Sequence, residues 1–347
     1  MFSMEQIENE ALRLHGFLKN VKGGACSQWT LEACAEIAPI TLEINALKKQ
    51  KNAIILAHSY VDPEIVYGVA DFKGDSYALS LDARGTKAEI IIFAGVVFMA
   101  ETAKILSPEA LVLVPDRGSG CSLADSLTAK DLIQLKKENP DAGVVCYINS
   151  NAEVKAECDV CVTSSNVYEI IEKMPQKKIL FVPDRLMAEN IRSELKNRGV
   201  NKEIISSSGT CIVHDVFDTS FIEASRKKHP ELKVVSHPEC TPEVALASDY
   251  VGSTSGMMNY VKTSGFKTFM MLTECGLVNR LESEAPGKEF IGSCKFCPYM
   301  KKNDLLKILD LLKIGPKPDQ IIEVEESIRV KALRSIDKMF EYCRKSK

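Results

Sequence analysis

Ile54-Ile55-Leu56-Ala57-His58-Ser59-Tyr60 is a short apolar run that ends on polar groups, and the chain echoes it twice. The echoes are Val144-Val145-Cys146-Tyr147-Ile148-Asn149 and Val234-Val235-Ser236-His237-Pro238-Glu239, so His58, Asn149 and His237 stand 91 and 88 residues apart. Aliphatic runs of this kind, without polar alternation, read as strands buried on both faces, as in a parallel sheet. One cysteine keeps the same beat. Cys121, Cys211 and Cys297 are 90 and 86 residues apart, each beside a glycine, threonine or proline turn. Three repeats with one thiolate each can build a three-cysteine site on a pseudo-threefold axis, leaving one position of a metal centre open to substrate.

Strands are expected at 53–58, 89–94, 111–115, 144–148, 160–163, 179–183, 204–208, 233–237, 249–252 and 268–273, with helices between them at 63–70, 97–106, 126–138, 185–198, 242–247 and 255–264. Such alternation gives parallel sheets through right-handed crossovers. Val112-Leu113-Val114-Pro115-Asp116-Arg117 matches Leu180-Phe181-Val182-Pro183-Asp184-Arg185, with Met270-Met271-Leu272-Thr273-Glu274 as a more diverged third copy. The expectation is three related α/β layers, not one long doubly wound sheet. Their boundaries are a helical segment 1–35, α/β domains 36–124, 125–213 and 214–302, and C-terminal helices 303–347.

Composition narrows the classes. The chain has 347 residues, with 44 Lys and Arg against 47 Asp and Glu, a formal net charge of −3. No basic surplus points to nucleic acid, and no charge block forms a tail. The first eight residues lack the basic and apolar regions of a secretory signal. The longest apolar run, Ile90 to Ala100, is too short for a bilayer. Twelve cysteines without a signal point to a reducing cytosol, where thiols pack, bind metal or catalyse. Cys34, Cys146 and Cys240 read as core.

In open α/β sheets, ligands bind beyond the carboxyl ends of the strands. The polar residues there are His58 and Tyr60, Tyr147 and Asn149, Thr163 to Ser165, His237 and Glu239, and Ser253 and Thr254. His58/Tyr60 and His237/Glu239 share an i, i+2 spacing that points both side chains one way if the strand continues. A glutamate near a phenol can relay protons. His214, three residues past Cys211, is within reach of the same chemistry. Thr163-Ser164-Ser165-Asn166 and Gly252-Ser253-Thr254-Ser255-Gly256 each close a strand and open a helix, which suits phosphate or carboxylate; ordinary helix caps are the alternative. Gly74-Asp75-Ser76 is a weaker third. For the metal, two readings stand. Cys158-x-x-Cys161 with Cys294-x-x-Cys297 suits a four-cysteine zinc site, whereas Cys121, Cys211 and Cys297 suit an iron–sulfur cluster assembled by the fold.

The motifs resemble quinolinate synthase, the A-type family of NAD biosynthesis, from about residue 50 to 306. The resemblance rests on Ala57-His58-x-Tyr60-x-Asp62-Pro63-Glu64-Ile65, Gly74-Asp75-Ser76, Phe93-Ala94-Gly95-Val96-x-Phe98-Met99-Ala100-Glu101-Thr102 and Gly120-Cys121-Ser122-Leu123-Ala124. It continues through Tyr147-x-Asn149, Thr163-Ser164-Ser165-Asn166, Cys211-Ile212-Val213-His214, His237-Pro238-Glu239-Cys240, Gly252-Ser253-Thr254-Ser255-Gly256-Met257 and Cys297-Pro298-x-Met300. It implies three pseudo-threefold-related parallel-sheet αβα domains around a central 4Fe–4S cluster, one per chain, on Cys121, Cys211 and Cys297. Cys294 would be an extra partner that pairs with Cys297 or packs. The implied reaction condenses iminoaspartate with dihydroxyacetone phosphate to quinolinate, losing phosphate and water, with an open iron as Lewis acid. Tyr60 and Glu239 would transfer protons. His58, Ser76, Ser164, His237, Ser253 and Thr254 would hold carboxylates or phosphate; Tyr147 and Asn149 would flank the open iron, with His214 near the triose. Ser59 and Tyr168 depart from the commonest family form without removing a needed group. The resemblance further implies a cytoplasmic enzyme supplied by an aspartate oxidase or dehydrogenase, without nucleic-acid or membrane partners. An iron–sulfur sensor or a zinc-stapled hydrolytic or transfer enzyme are the readings from other classes; the sensor would use the same thiolates with no need of His58, Tyr60, Glu239 and the anion sites, and metal content separates the zinc enzyme from the others.

Overall fold

The computed structural model describes residues 2–292 and 294–344. Helices α1 (Met4–Leu18) and α2 (Leu31–Gln50) precede the first sheet. That sheet runs β1 (Ala53–His58), α3 (Pro63–Gly68), β2 (Phe72–Gly74), α4 (Ser76–Gly85), β3 (Ile90–Ala94), α5 (Val97–Leu106) and β4 (Leu111–Leu113). After α6 (Ala129–Glu138) the same plan recurs as β5 (Gly143–Tyr147), α7 (Ala152–Ala156), β6 (Val160–Val162), α8 (Val167–Lys173), β7 (Lys178–Val182), α9 (Arg185–Asn197) and β8 (Glu203–Ser206). After α10 (Thr219–Lys228) it recurs again, as β9 (Lys233–Ser236), α11 (Pro242–Ala247), β10 (Tyr250–Val251), α12 (Thr254–Thr263), β11 (Thr268–Leu272), α13 (Cys275–Glu284) and β12 (Glu289–Phe290). Helices α14 (Leu305–Lys313) and α15 (Glu326–Cys343) end the described chain.

The fold is α/β with three four-stranded parallel sheets. The first two share one order, β2-β1-β3-β4 and β6-β5-β7-β8; in the third, β9 pairs with β10 and β11 with β12, both parallel. Strand interiors explain the expectation from sequence. Ile55, Leu56 and Ala57 of β1 are all fully buried, as are Val145 and Cys146 of β5 and Val234 and Val235 of β9. Every expected strand is present, shortened by a residue or two in places. Two others, β2 and β12, carried no signal, because an edge strand of two or three residues containing Lys73 or Glu289 has no apolar run. The echo of Val112–Arg117 in Leu180–Arg185 is out of step. β4 is the last strand of its sheet and β7 is internal, so the counterpart of β7 is β3 or β11. Met270–Glu274 is therefore a true copy and Val112–Arg117 is not.

Two compact units are distinguished: residues up to Ser119 with Met258–Glu323, and Gly120–Met257 with the chain from Val324 onward. In the second unit, α15 buries Ala332, Ser335, Ile336, Met339 and Phe340, a helical stripe. Ser335 donates to the Lys155 carbonyl (2.9 Å) and meets Cys161 Sγ at 3.3 Å. In the first unit, Glu64 of α3 is buried; its Oε1 accepts from the Ala25 amide (3.2 Å) while its Oε2 has no hydrogen-bond partner. Burial, then the charge of Asp62, pushes its carboxyl up to about 7 from an ordinary 4.5. A raised acid of this kind contributes stability that is complete below 4.5 and lost as pH rises through about 7. The loss is on the order of 3 kcal/mol. Glu64→Gln is expected to remove it, so the variant should melt several degrees above the parent at pH 8 and close to it at pH 5. Thermal unfolding at the two pH values checks this; equal melting at pH 8 counts against it.

Candidate functional site

The three cysteines Cys121, Cys211 and Cys297 lie in the loops that leave β4, β8 and β12, and one backbone pattern holds all three loops. The first residue of α5, α9 and α13 donates its amide to the carbonyl two residues before the cysteine: Val97 to Ser119 (2.8 Å), Arg185 to Gly209 (2.8 Å) and Cys275 to Lys295 (3.1 Å). Each cysteine carbonyl then accepts from the residue four ahead, Asp125 (2.9 Å), Asp215 (3.0 Å) or Lys301 (3.1 Å). Each thiol thus opens a helical turn. Gly209 is required by this geometry, since a Cβ there would sit 2.7 Å from the Pro183 carbonyl. Burial, then the charges of Glu239 and Cys121, push the Cys211 thiol well above its ordinary value; burial likewise raises Cys297. Nearby amides, of Val213 at Cys211 and of Tyr299 and Met300 at Cys297, act to lower these thiols. Thiols in such surroundings ionise when a metal takes the proton's place. Soft sulfurs with amide donors and long sequence spacing fit iron–sulfur ligation.

The second unit presents one dense polar set. Among the described residues, one group of three Cys, His, Asp or Glu side chains brings its ligand atoms within 4.8 Å: Cys211, His214 and Glu239. His214 Nδ1 is 3.3 Å from Cys211 Sγ and 2.9 Å from Glu239 Oε2. Glu239 Oε1 accepts from the Tyr147 hydroxyl (2.5 Å) and from Asn149 Nδ2 at 3.5 Å. The His214 and His237 rings stack 4.7 Å apart. Burial acts to raise the Glu239 carboxyl, but the charges of His237 and His214, with hydrogen bonds from His214 and Tyr147, outweigh it and hold Glu239 well below the carboxylate range. Asp184 goes the other way. It caps α9 through Oδ1 to the Met187 amide (2.8 Å), its Oδ2 has no hydrogen-bond partner, and burial followed by the Glu239 charge pushes it well up.

The first unit repeats part of this set. The Tyr60 amide donates to His58 Nδ1 (3.2 Å), as the Glu239 amide does to His237 Nδ1 (3.4 Å). Nε2 is left as the donor nitrogen of each ring. The His58 and Tyr60 rings meet edge to face at 4.5 Å, and the Tyr60 hydroxyl lies 2.9 Å from Thr273 Oγ1. Glu274, fully buried, accepts from the Cys297 amide (3.1 Å).

The three anion-site candidates differ. Asp75 caps α4 by accepting from the Ala78 amide (3.0 Å), so a carboxylate already stands beside Ser76. In the second unit, Ser165 is tied to Thr163 (2.7 Å) and Asn166 closes the turn on the Thr163 amide (2.7 Å), leaving half-buried Ser164 as the available hydroxyl. Ser253 Oγ accepts from the Gly256 amide (3.1 Å), the ordinary cap, and keeps its own proton to donate. Both Ser253 and Thr254 are buried.

The zinc alternative fails on pairing. Cys294 forms a disulfide with Cys275, their Cα atoms 4.9 Å apart. Of the two readings of Cys294, pairing with Cys297 or packing, neither holds: its partner is Cys275. The cause is the return of the chain from β12 to the start of α13. Cys146 and Cys161 are register partners across β5 and β6 and are fully buried, which makes them core; Cys34 and Cys240 are buried as expected. Thr273, Glu274, Asp184 and Lys301 were not singled out for chemistry, although Thr273-Glu274 lies in the third copy of an echo. No helix among the described residues is long and apolar enough to cross a membrane.

Fold and site together define a three-sheet α/β enzyme whose strand ends carry thiols, imidazoles and carboxylates. The profile of the family described as Quinolinate synthetase A protein matches residues 42–341. A quinolinate synthase of Sinorhizobium medicae is 44% identical over 278 residues, covering 80% of this chain and 76% of that protein. Those of Xylella fastidiosa (42% over 293 residues, 84% of each chain) and Rippkaea orientalis (43% over 306 residues, 86% and 91%) are similar as well. The chain belongs to the quinolinate synthase family.

Proposed function

We propose that the chain condenses iminoaspartate with dihydroxyacetone phosphate, with loss of phosphate and water, to make quinolinate for NAD biosynthesis. The observation that carries this reading is the contact set Cys211, His214, Glu239 and Tyr147, which puts a candidate metal ligand within hydrogen-bond reach of proton-transfer groups. Cys121, Cys211 and Cys297 would hold one 4Fe–4S cluster per chain, and the amides near Cys211 and Cys297 support that choice. When bound, the cluster supplies a Lewis acid at its one iron without a protein ligand.

The chain's own groups do the rest. Glu239, kept ionised by His237 and His214, accepts a proton; the Tyr60 phenol, relayed to the Thr273 hydroxyl, gives or takes one. His58 and His237 offer Nε2–H to substrate carboxylates. Tyr147 and Asn149 orient substrate beside the metal, and His214 lies toward the triose. Ser76, Ser164, Ser253 and Thr254 supply hydroxyls for two carboxylates and a phosphate. The domains 36–124, 125–213 and 214–302 each contribute one such strand-end set. A cytoplasmic setting, with iminoaspartate supplied by an aspartate oxidase or dehydrogenase, completes the reading.

Protein purified without oxygen is expected to contain about four irons with matching sulfide. Given iminoaspartate and the triose phosphate anaerobically, it should release pyridine-2,3-dicarboxylate. About one zinc per chain in place of iron, and no pyridine product, would sink the proposal.

A further inference from the structure

One ion pair in the first unit, between half-buried Lys301 and fully buried Glu274, grips the Cys297 loop and the end of β1 at once. Lys301 Nζ donates to the Tyr60 carbonyl (2.9 Å), lies 2.9 Å from Asp62 Oδ1 and 3.4 Å from Glu274 Oε1, and its backbone amide donates to the Cys297 carbonyl (3.1 Å). Glu274 Oε1 accepts from the Cys297 amide (3.1 Å) and Oε2 from the Gly276 amide (2.5 Å). The Cys297 amide is therefore held by the Glu274 side chain that Lys301 Nζ pairs with, while the Cys297 carbonyl is held by the Lys301 backbone as in the other two cysteine loops. The same pair holds the backbone of Tyr60. Gly276 packs so closely there that a Cβ would stand 2.6 Å from the Tyr60 carbonyl oxygen. Thr273, next to Glu274, bonds the Tyr60 hydroxyl.

This arrangement is not a general requirement of the fold. The residues at the start of α5, α9 and α13 that correspond to one another are Val96, Asp184 and Glu274. Val96 has no polar side chain. Asp184 caps its own helix and leaves Oδ2 without a partner, so it does not bind the Cys211 amide. The sheet plan recurs three times, but the carboxylate–lysine grip on a cysteine occurs only at Cys297.

We propose that Glu274 and Lys301 are positioning residues for the reaction, fixing the Cys297 ligand loop and the Tyr60 phenol as one piece. The inference rests on the functional reading above, with Cys297 as a cluster ligand and Tyr60 as a proton-transfer group. Lys301→Met breaks the grip and Lys301→Arg restores a donor of the same charge. In anaerobically loaded protein, Lys301→Met is expected to lower kcat about 10- to 100-fold, as sub-ångström misplacement of reacting groups does. KM for both substrates should stay within about twofold, because no substrate contact is removed. Release of iron to a chelator, followed by the fading of visible absorption, should quicken about tenfold, as loss of an outer support for a metal ligand does. Lys301→Arg should recover most of both effects. Glu274→Gln provides the same readouts if Lys301→Met does not fold. Variants matching the parent in kcat and chelator release overturn the proposal, as does a fall confined to KM. A parent protein that binds no cluster or makes no quinolinate overturns the functional reading and this inference with it. A competent parent with silent variants overturns this inference alone.

Discussion

Cys211→Ala is expected to abolish both the visible absorption of the anaerobically purified protein and quinolinate formation. Cys211 stands where two chemistries meet. Its sulfur would be one of three cluster ligands, and it lies 3.3 Å from His214 Nδ1, which in turn contacts Glu239. Alanine removes the ligand without disturbing the turn, because the turn is held by the Cys211 carbonyl to the Asp215 amide and by the Gly209 carbonyl, neither of which uses the side chain. Folding stability should therefore change by only about 1 kcal/mol, the centre of the range for single substitutions. Cys158→Ala is the matching control. Cys158 donates to the Val154 carbonyl at the end of a short helix and takes no part in the thiol turns, so its loss should leave the absorption in place. Under a zinc reading through the two C-x-x-C pairs, the outcomes exchange: Cys158→Ala loses metal and Cys211→Ala keeps it. Iron content and the ultraviolet–visible spectrum of the two variants decide the matter.

What the sequence disclosed follows the physics of each element. Strands β1, β5 and β9 were legible because they are buried on both faces, so their aliphatic runs have no polar interruption. The ends of those strands were legible as well: His58 with Tyr60 and His237 with Glu239 repeat both in spacing and in the amide-to-Nδ1 bond that fixes each ring. The out-of-step echo at Val112–Arg117 shows the limit of local likeness, since an aliphatic triplet followed by Pro-Asp suits either an internal or an edge strand. The disulfide from Cys275 to Cys294 was not legible, because proximity there depends on how far β12 returns toward α13. Lys301 was hidden for a related reason. Its partners Tyr60, Asp62 and Glu274 are distant in sequence, and a lysine one residue from the end of an expected domain reads as solvated surface.

Glu239→Gln is expected to lower the rate of quinolinate formation on the order of 10²–10⁴-fold while leaving the visible absorption intact. The side chain makes no claim as a cluster ligand in this reading, and glutamine fills the same volume. An amide can still accept from the Tyr147 hydroxyl, but it presents a second donor or a weak acceptor to His214 in place of a carboxylate oxygen. The proton acceptor is gone and the His214–His237 stack loses its counter-charge. A stability signature accompanies the kinetic one. The Glu239 carboxyl is held below its ordinary 4.5 in the folded protein, so the stability it contributes is present above that value and is lost as pH falls beneath it. Glu239→Gln should therefore be less stable than the parent near pH 7, and the gap should narrow on acidification. Because acid also attacks an iron–sulfur cluster, the comparison belongs in metal-free protein, by denaturant unfolding from pH 7 down to about pH 2, since the loss falls below 4.5. Parental turnover in Glu239→Gln would remove Glu239 from proton transfer. A gap in stability that persists unchanged far below pH 4.5 would show instead that the carboxylate is not the charged partner of His214 and His237, and the acid–base assignment would then have to move to Tyr60 alone.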